Sequence, residues 1–100
     1  MVIYVRGAQA AGNAAYWYAP ASVTVAQKDA VFNLVNDSPG KHDFTLGTKL
    51  KGDVLFSKTL ASNTQAVVDL TFLAPGKYTF WCSVLDHADM GQVGTLTITP

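Results

Sequence analysis

Apolar and polar positions alternate with a period of two along much of this chain, and that period predicts strands. The final segment, Gly94–Thr99, reads Gly-Thr-Leu-Thr-Ile-Thr, and in Ser22–Gln27 Val23 and Val25 alternate with polar neighbours. Ala30–Val35 is denser, with Phe32 and Leu34 on one face. Gln65–Phe72 and Lys77–Cys82 are β-branched and aromatic, and Val2–Val5 reads as a first strand. Turn formers separate the runs: Lys28-Asp29, Asn36 to Gly40, Gly52-Asp53, Ala61 to Thr64 and Pro75-Gly76. Nothing reads as a long amphipathic helix, and the Ala- and Gly-rich tract from Gly7 to Ala15 is a loop or a short turn. Seven to eight short strands at this spacing predict an all-β fold, a Greek-key antiparallel β-sandwich. With no repeat and no internal linker, residues 1–100 are expected to form a single domain.

Composition narrows the function more than the fold. One hundred residues supply one hydrophobic core and not two. Seven basic and seven acidic residues cancel, which leaves no basic stripe for a nucleic-acid backbone. Polar residues break the apolar runs well short of the roughly 20 positions of a transmembrane helix, so no membrane span is expected. One cysteine allows no intrachain disulfide. The start, from Met1 to Gln9, lacks the basic-then-apolar layout of a signal peptide. The chain is therefore expected to be a mature or excised domain with an added Met1.

The candidate chemistry lies in three residues. His42 and His87 are the two histidines and Cys82 is the one cysteine. Cys82 closes a predicted strand, and His87 lies five residues on, a loop length that lets thiolate and imidazole turn toward one centre. His42 follows the turn Asn36-Asp37-Ser38-Pro39-Gly40 at the start of another strand, and in a sandwich these strand ends can meet at one pole. Two imidazoles and a thiolate in a trigonal set, with a weak axial ligand, make a mononuclear blue-copper site for electron transfer. Taken singly, each residue reads otherwise: Cys82 as a small buried hydrophobe, the histidines as surface or hydrogen-bonding groups. Their joint spacing favours the metal.

Two segments carry a family resemblance. Asn36 to Phe44, with His42-Asp43-Phe44, and the stretch Tyr78-Thr-Phe-Trp-Cys82-Ser-Val-Leu-Asp-His87-Ala-Asp-Met-Gly-Gln92-Val-Gly-Thr-Leu-Thr resemble the two halves of a cupredoxin copper site. Pro20-Ala-Ser-Val-Thr-Val is similar to an early strand of that family, so the likeness runs from Tyr16 to Thr99. In many cupredoxins with this Cys–His spacing, an axial methionine lies five positions after the histidine. Here that position is Gln92. The string from His87 to Gln92 is similar to the stellacyanin-like phytocyanins, whose axial ligand is a glutamine side-chain oxygen. Met90, three residues after His87, is the alternative axial ligand. The chain departs from phytocyanins at Ala88, where they carry a disulfide-forming cysteine.

The resemblance implies a type 1 copper protein, an electron carrier rather than an enzyme, working as a monomer in the periplasm or another extracytoplasmic space. A redox protein is expected to dock near an exposed edge of His87, on a collar of Pro39, Gly40, Leu85 and Met90. Asp43 stands where related proteins often have an asparagine or serine bracing the ligand loops, and it reads equally as a brace or as a solvated aspartate. Asp86 and Asp89 read as solvated, and Tyr16, Trp17, Tyr18 and Trp81 as core or strand-face aromatics. The rival readings are a copper carrier or storage domain, a small copper oxidoreductase, and a metal-free sandwich. A binuclear copper centre would need a second cysteine, which this chain does not have.

Overall fold

In the computed structural model, which describes residues 1–6, 16–85 and 87–100, strands follow the alternation and turns fall at the turn formers. Among the described residues nine strands appear in order: β1 (Val2–Arg6), β2 (Trp17–Ala19), β3 (Ser22–Ala26), β4 (Val31–Asn36), β5 (His42–Gly47), β6 (Val54–Leu60), β7 (Thr64–Asp69), β8 (Gly76–Trp81) and β9 (Val93–Thr99). A 3-10 turn at Gln27–Asp29 sits where Lys28-Asp29 breaks the pattern. The Gly7–Ala15 tract and Asp86 lie outside the described residues.

The strands form two sheets, ordered β2-β1-β4-β7 and β3-β9-β8-β5-β6. The expected all-β sandwich is present, with nine strands among the described residues against the seven to eight that the spacing predicts. Two pairings, β1 with β4 and β3 with β9, are parallel, so both sheets are mixed. Each parallel pair joins strands far apart in sequence, a relation that period and turn chemistry do not encode.

Inward-facing residues of both sheets fill the core. Ile3, Val5, Phe32 and Leu34 come from one sheet, and Phe44, Leu46, Phe80, Leu96 and Ile98 from the other. Phe44 and Phe80 stack at 4.7 Å between centroids, and Tyr18 meets Phe80 edge-on at 4.9 Å. Fully burying a side chain of this kind contributes about 1.5–3 kcal/mol. Gly94 lets β9 pass this cluster, because a Cβ there would lie 2.3 Å from the Phe80 ring.

β5 is the strand that matters for the site. All six of its residues are buried, whereas its neighbour β6 buries only Leu60. Phe44 and Leu46 face the core. On the opposite face Thr45 Oγ1 meets Ser57 Oγ at 2.9 Å, and Trp81 covers Gly47. A strand packed on both faces has little freedom, and His42 is its first residue.

Candidate metal centre

His42 is placed by what precedes it. Asn36, fully buried at the end of β4, donates from Nδ2 to the carbonyls of Gly40 (2.8 Å), Leu60 (3.1 Å) and Ala61 (3.1 Å). Its Oδ1 accepts from the Ser38 backbone N–H at 3.1 Å and from the Ser38 hydroxyl at 2.6 Å. This one amide folds the Asn36–Gly40 turn back on itself and ties it to the end of β6. The chain thus enters β5 on a fixed course.

Cys82 follows the last residue of β8, and its N–H donates to the Gln92 carbonyl at 3.1 Å, closing the loop that carries His87. Within that loop the His87 carbonyl accepts from the N–H groups of Met90 (3.1 Å) and Gln92 (3.0 Å). Gly91 takes φ +108°, a value that favours glycine. Asp43 braces the other side. Its carboxylate accepts from the Ser83 N–H at 2.8 Å, from the Ser83 hydroxyl, and from the Thr45 hydroxyl at 3.0 Å. Its own N–H points to Cys82 Sγ at 3.5 Å. Asp43 therefore links the two strand ends and is buried.

These supports bring the three donors together. Cys82 Sγ lies 3.9 Å from His42 Nδ1 and 3.5 Å from His87 Nδ1, and all three donor atoms lie within 4.8 Å of one another. The spacing suits a metal. A first-row ion in a trigonal set, with about 2.3 Å to sulfur and about 2.0 Å to nitrogen, separates those donors by about 3.7 Å. All three residues are buried. Burial pushes the Cys82 thiol up from its ordinary value, opposed by the N–H groups of Asp43 and Val84. Burial, and then the neighbouring His87, push His42 down, which favours the neutral imidazole that a metal needs.

Gln92 is the candidate fourth donor. It is fully buried, and its Nε2 donates to the carbonyls of Arg6 (2.9 Å) and Trp17 (3.2 Å). Two acceptors at that end demand the NH2 group, so the amide orientation follows from the network. Its buried Oε1 has no hydrogen-bond partner among the described residues. Buried acceptors are seldom left so; the amide adjoins His42 and raises that imidazole's proton affinity, and an amide oxygen is a donor of the kind that serves as a weak axial ligand. Met90 is partly buried, and its carbonyl accepts from Tyr16 N–H at 3.4 Å. Among the described residues His42 Nε2 also meets no hydrogen-bond partner, so none of them supplies the second-nitrogen bond that usually orients a metal-binding imidazole.

The surroundings of His87 differ from expectation. Only 7% of the residue is exposed, and the Tyr16 ring stacks on the imidazole at 3.9 Å between centroids, 13° from parallel. The expected exposed edge is thus largely covered. Pro39, Gly40 and Leu85 of the expected collar are exposed, Leu85 by 89%. Asp89 pairs with Lys51 at 2.7 Å rather than standing free. Two site residues escaped the sequence reading. Asn36 was legible in principle, since Asn-Asp-Ser-Pro-Gly spells a side-chain-stabilised turn; Tyr16, beside an Ala-rich tract, carries no such signal.

No family model matches the sequence, and no curated protein matches it. Solved structures do. A dithionite-reduced auracyanin from the photosynthetic bacterium Roseiflexus castenholzii is 18% identical with a TM-score of 0.75, over 99% of this chain and 97% of that one. A purple cupredoxin from Nitrosopumilus maritimus is 19% identical with a TM-score of 0.70, over 98% of both chains. The chain has the cupredoxin fold. A multicopper oxidase shares it too, at 19% identity and a TM-score of 0.68, with this chain spanning 43% of that one. Identities this low establish the cupredoxin fold, and the chemistry rests on the residues. His42, Cys82 and His87 form a candidate copper-binding group at one pole of that fold.

Proposed function

We propose that the chain binds one type 1 copper ion through His42, Cys82 and His87, with the Gln92 amide oxygen as axial ligand, and that it carries single electrons between redox proteins. The observation that carries this reading is the convergence of two Nδ1 atoms and one sulfur within 4.8 Å of one another; Gln92, whose buried Oε1 has no hydrogen-bond partner among the described residues, adjoins His42. Copper supplies the Cu(I)/Cu(II) couple there. The protein's part is to keep the donors in one arrangement for both oxidation states. Asn36 and the two-sided packing of β5 fix His42, Asp43 ties the strand ends, and the Arg6 and Trp17 carbonyls hold the Gln92 amide. The Asp43 N–H aimed at the sulfur favours the thiolate.

An amide oxygen is a harder donor than a thioether, so Gln92 favours Cu(II) over Cu(I) relative to a methionine ligand. Met90 then serves as an apolar neighbour. The near-zero net charge predicts weak electrostatic steering, so association with a partner depends little on salt. We place the protein outside the cytoplasm, working as a monomer, with its partner contact on the pole that carries Leu85, Pro39 and Gly40.

The multicopper oxidase likeness favours one second reading, a small oxidoreductase domain. Both histidines of the chain are already in the candidate group, and a second copper would need its own. Redox cycling separates the readings. A carrier takes up one copper per chain, accepts and returns one electron per copper through repeated cycles, and consumes no oxygen or nitrogen oxide. Steady consumption of either would favour the oxidoreductase. Copper lost to a chelator after each reduction would favour a carrier or store of the metal.

A further inference from the structure

In the proposed site, an electron must pass between His87 and the protein surface, yet little of the imidazole reaches solvent. What covers it is a second π face. The Tyr16 ring lies 3.9 Å from the His87 ring and nearly parallel to it, and it meets His42 edge-on at 5.8 Å. Tyr16 is held in place through its own backbone, whose N–H donates to the Met90 carbonyl at 3.4 Å. It immediately precedes β2, on the opposite sheet from the ligand strands β5 and β8. Tyr16 as a residue is partly exposed. One residue therefore stacks on a proposed ligand and reaches the surface.

We infer that Tyr16 is a positioning residue that clamps the His87 imidazole, and that its ring is the surface contact through which electrons reach and leave His87. This rests on the electron-carrier reading of the site. A ring lying this close and nearly parallel leaves the imidazole little room to rotate and so biases one ring orientation. Clamping keeps the His87 ring aligned with and without the metal, which limits rearrangement when the oxidation state changes. In self-exchange between two copies, one Cu(I) is oxidised as the other copy's Cu(II) is reduced, and no proton or further reactant is required. The hydroxyl has no part in this, so a phenyl ring is sufficient.

Two measurements on wild type, Tyr16→Phe and Tyr16→Leu test it. In the metal-free protein, proton NMR should show the His87 ring protons shifted by the stacked ring in wild type and in Tyr16→Phe, and not in Tyr16→Leu. In the copper protein, the self-exchange rate should hold in Tyr16→Phe and fall severalfold in Tyr16→Leu, which keeps an apolar cover but removes the π face. A Tyr16→Leu rate equal to or above wild type would overturn the inference and make Tyr16 a plain lid. So would an absence of contact between the Tyr16 and His87 rings in the wild-type spectra, a result that needs no variant to fold. If wild type binds no copper with a thiolate charge-transfer band, the failure lies with the electron-carrier reading. A normal band with a rate indifferent to the ring defeats the Tyr16 inference alone.

Discussion

His42 and His87 approach the same sulfur from two different kinds of scaffold. His42 opens a strand buried on both faces, behind a turn that one asparagine ties with five hydrogen bonds. His87 sits in a loop whose tip is exposed, and it is held by a closing backbone bond between Cys82 and Gln92, a stacked tyrosine and a surface ion pair. The first arrangement shares its interactions with the fold, so damage there should appear as lost stability. The second shares few, so damage there should appear in the copper chemistry while the fold survives. Rigidity on one side and local ties on the other allow the loop to vary without loss of the sandwich.

Asn36→Ala should have the largest effect. It strips five hydrogen bonds and leaves three carbonyls and the Ser38 groups short of partners, at a cost of about 3 kcal/mol. Chemical denaturation of the metal-free protein should read it, and a loss below about 0.5 kcal/mol would mean that water replaces the amide. Asp43→Ala comes next, at about 2 kcal/mol, because Ser83 N–H and two hydroxyls lose a buried carboxylate. Since Asp43 bridges both sides, this variant should also loosen the copper site. A destabilised protein with an unaltered copper spectrum would show that the brace serves the fold alone.

On the loop side the readout changes to potential. Gln92→Met exchanges an oxygen donor for a softer thioether and should raise the reduction potential by about 60 mV or more, a decade in the Cu(I)/Cu(II) ratio. No shift from Gln92→Met, together with a spectral change from Met90→Leu, would move the axial role to Met90. The smallest effect should come from Lys51→Ala. Its ion pair with Asp89 lies at the surface, and its loss should change stability by about 0.5 kcal/mol or less. A large change in copper affinity from that variant would mean that the loop depends on this tie far more than exposed ion pairs usually allow.

Much of this was legible in the sequence, for reasons the molecule makes plain. Strands with one buried face, such as β9 with its Leu96 and Ile98, print a period of two. The five-residue interval from Cys82 to His87 is local and therefore readable. β2 has only three residues, and β6 exposes Val54 and Leu55 side by side, so neither prints a clean alternation. The parallel pairings and the orientation of the Gln92 amide depend on distant partners. Arg6 and Trp17 lie 86 and 75 residues away from Gln92. The cover over His87 is of the same kind: Tyr16 reads as one more strand-face aromatic until the fold lays it on the imidazole.

The central claim is that Cys82 presents a thiolate to copper between His42 and His87. Adding Cu(II) stepwise to the metal-free protein and recording the visible spectrum tests it most directly. An intense thiolate-to-copper band that rises to a plateau at one equivalent, and that is absent from Cys82→Ser, is the predicted result. Wild-type protein that stays colourless at stoichiometric copper, or a Cys82→Ser variant with the same band, would contradict the claim.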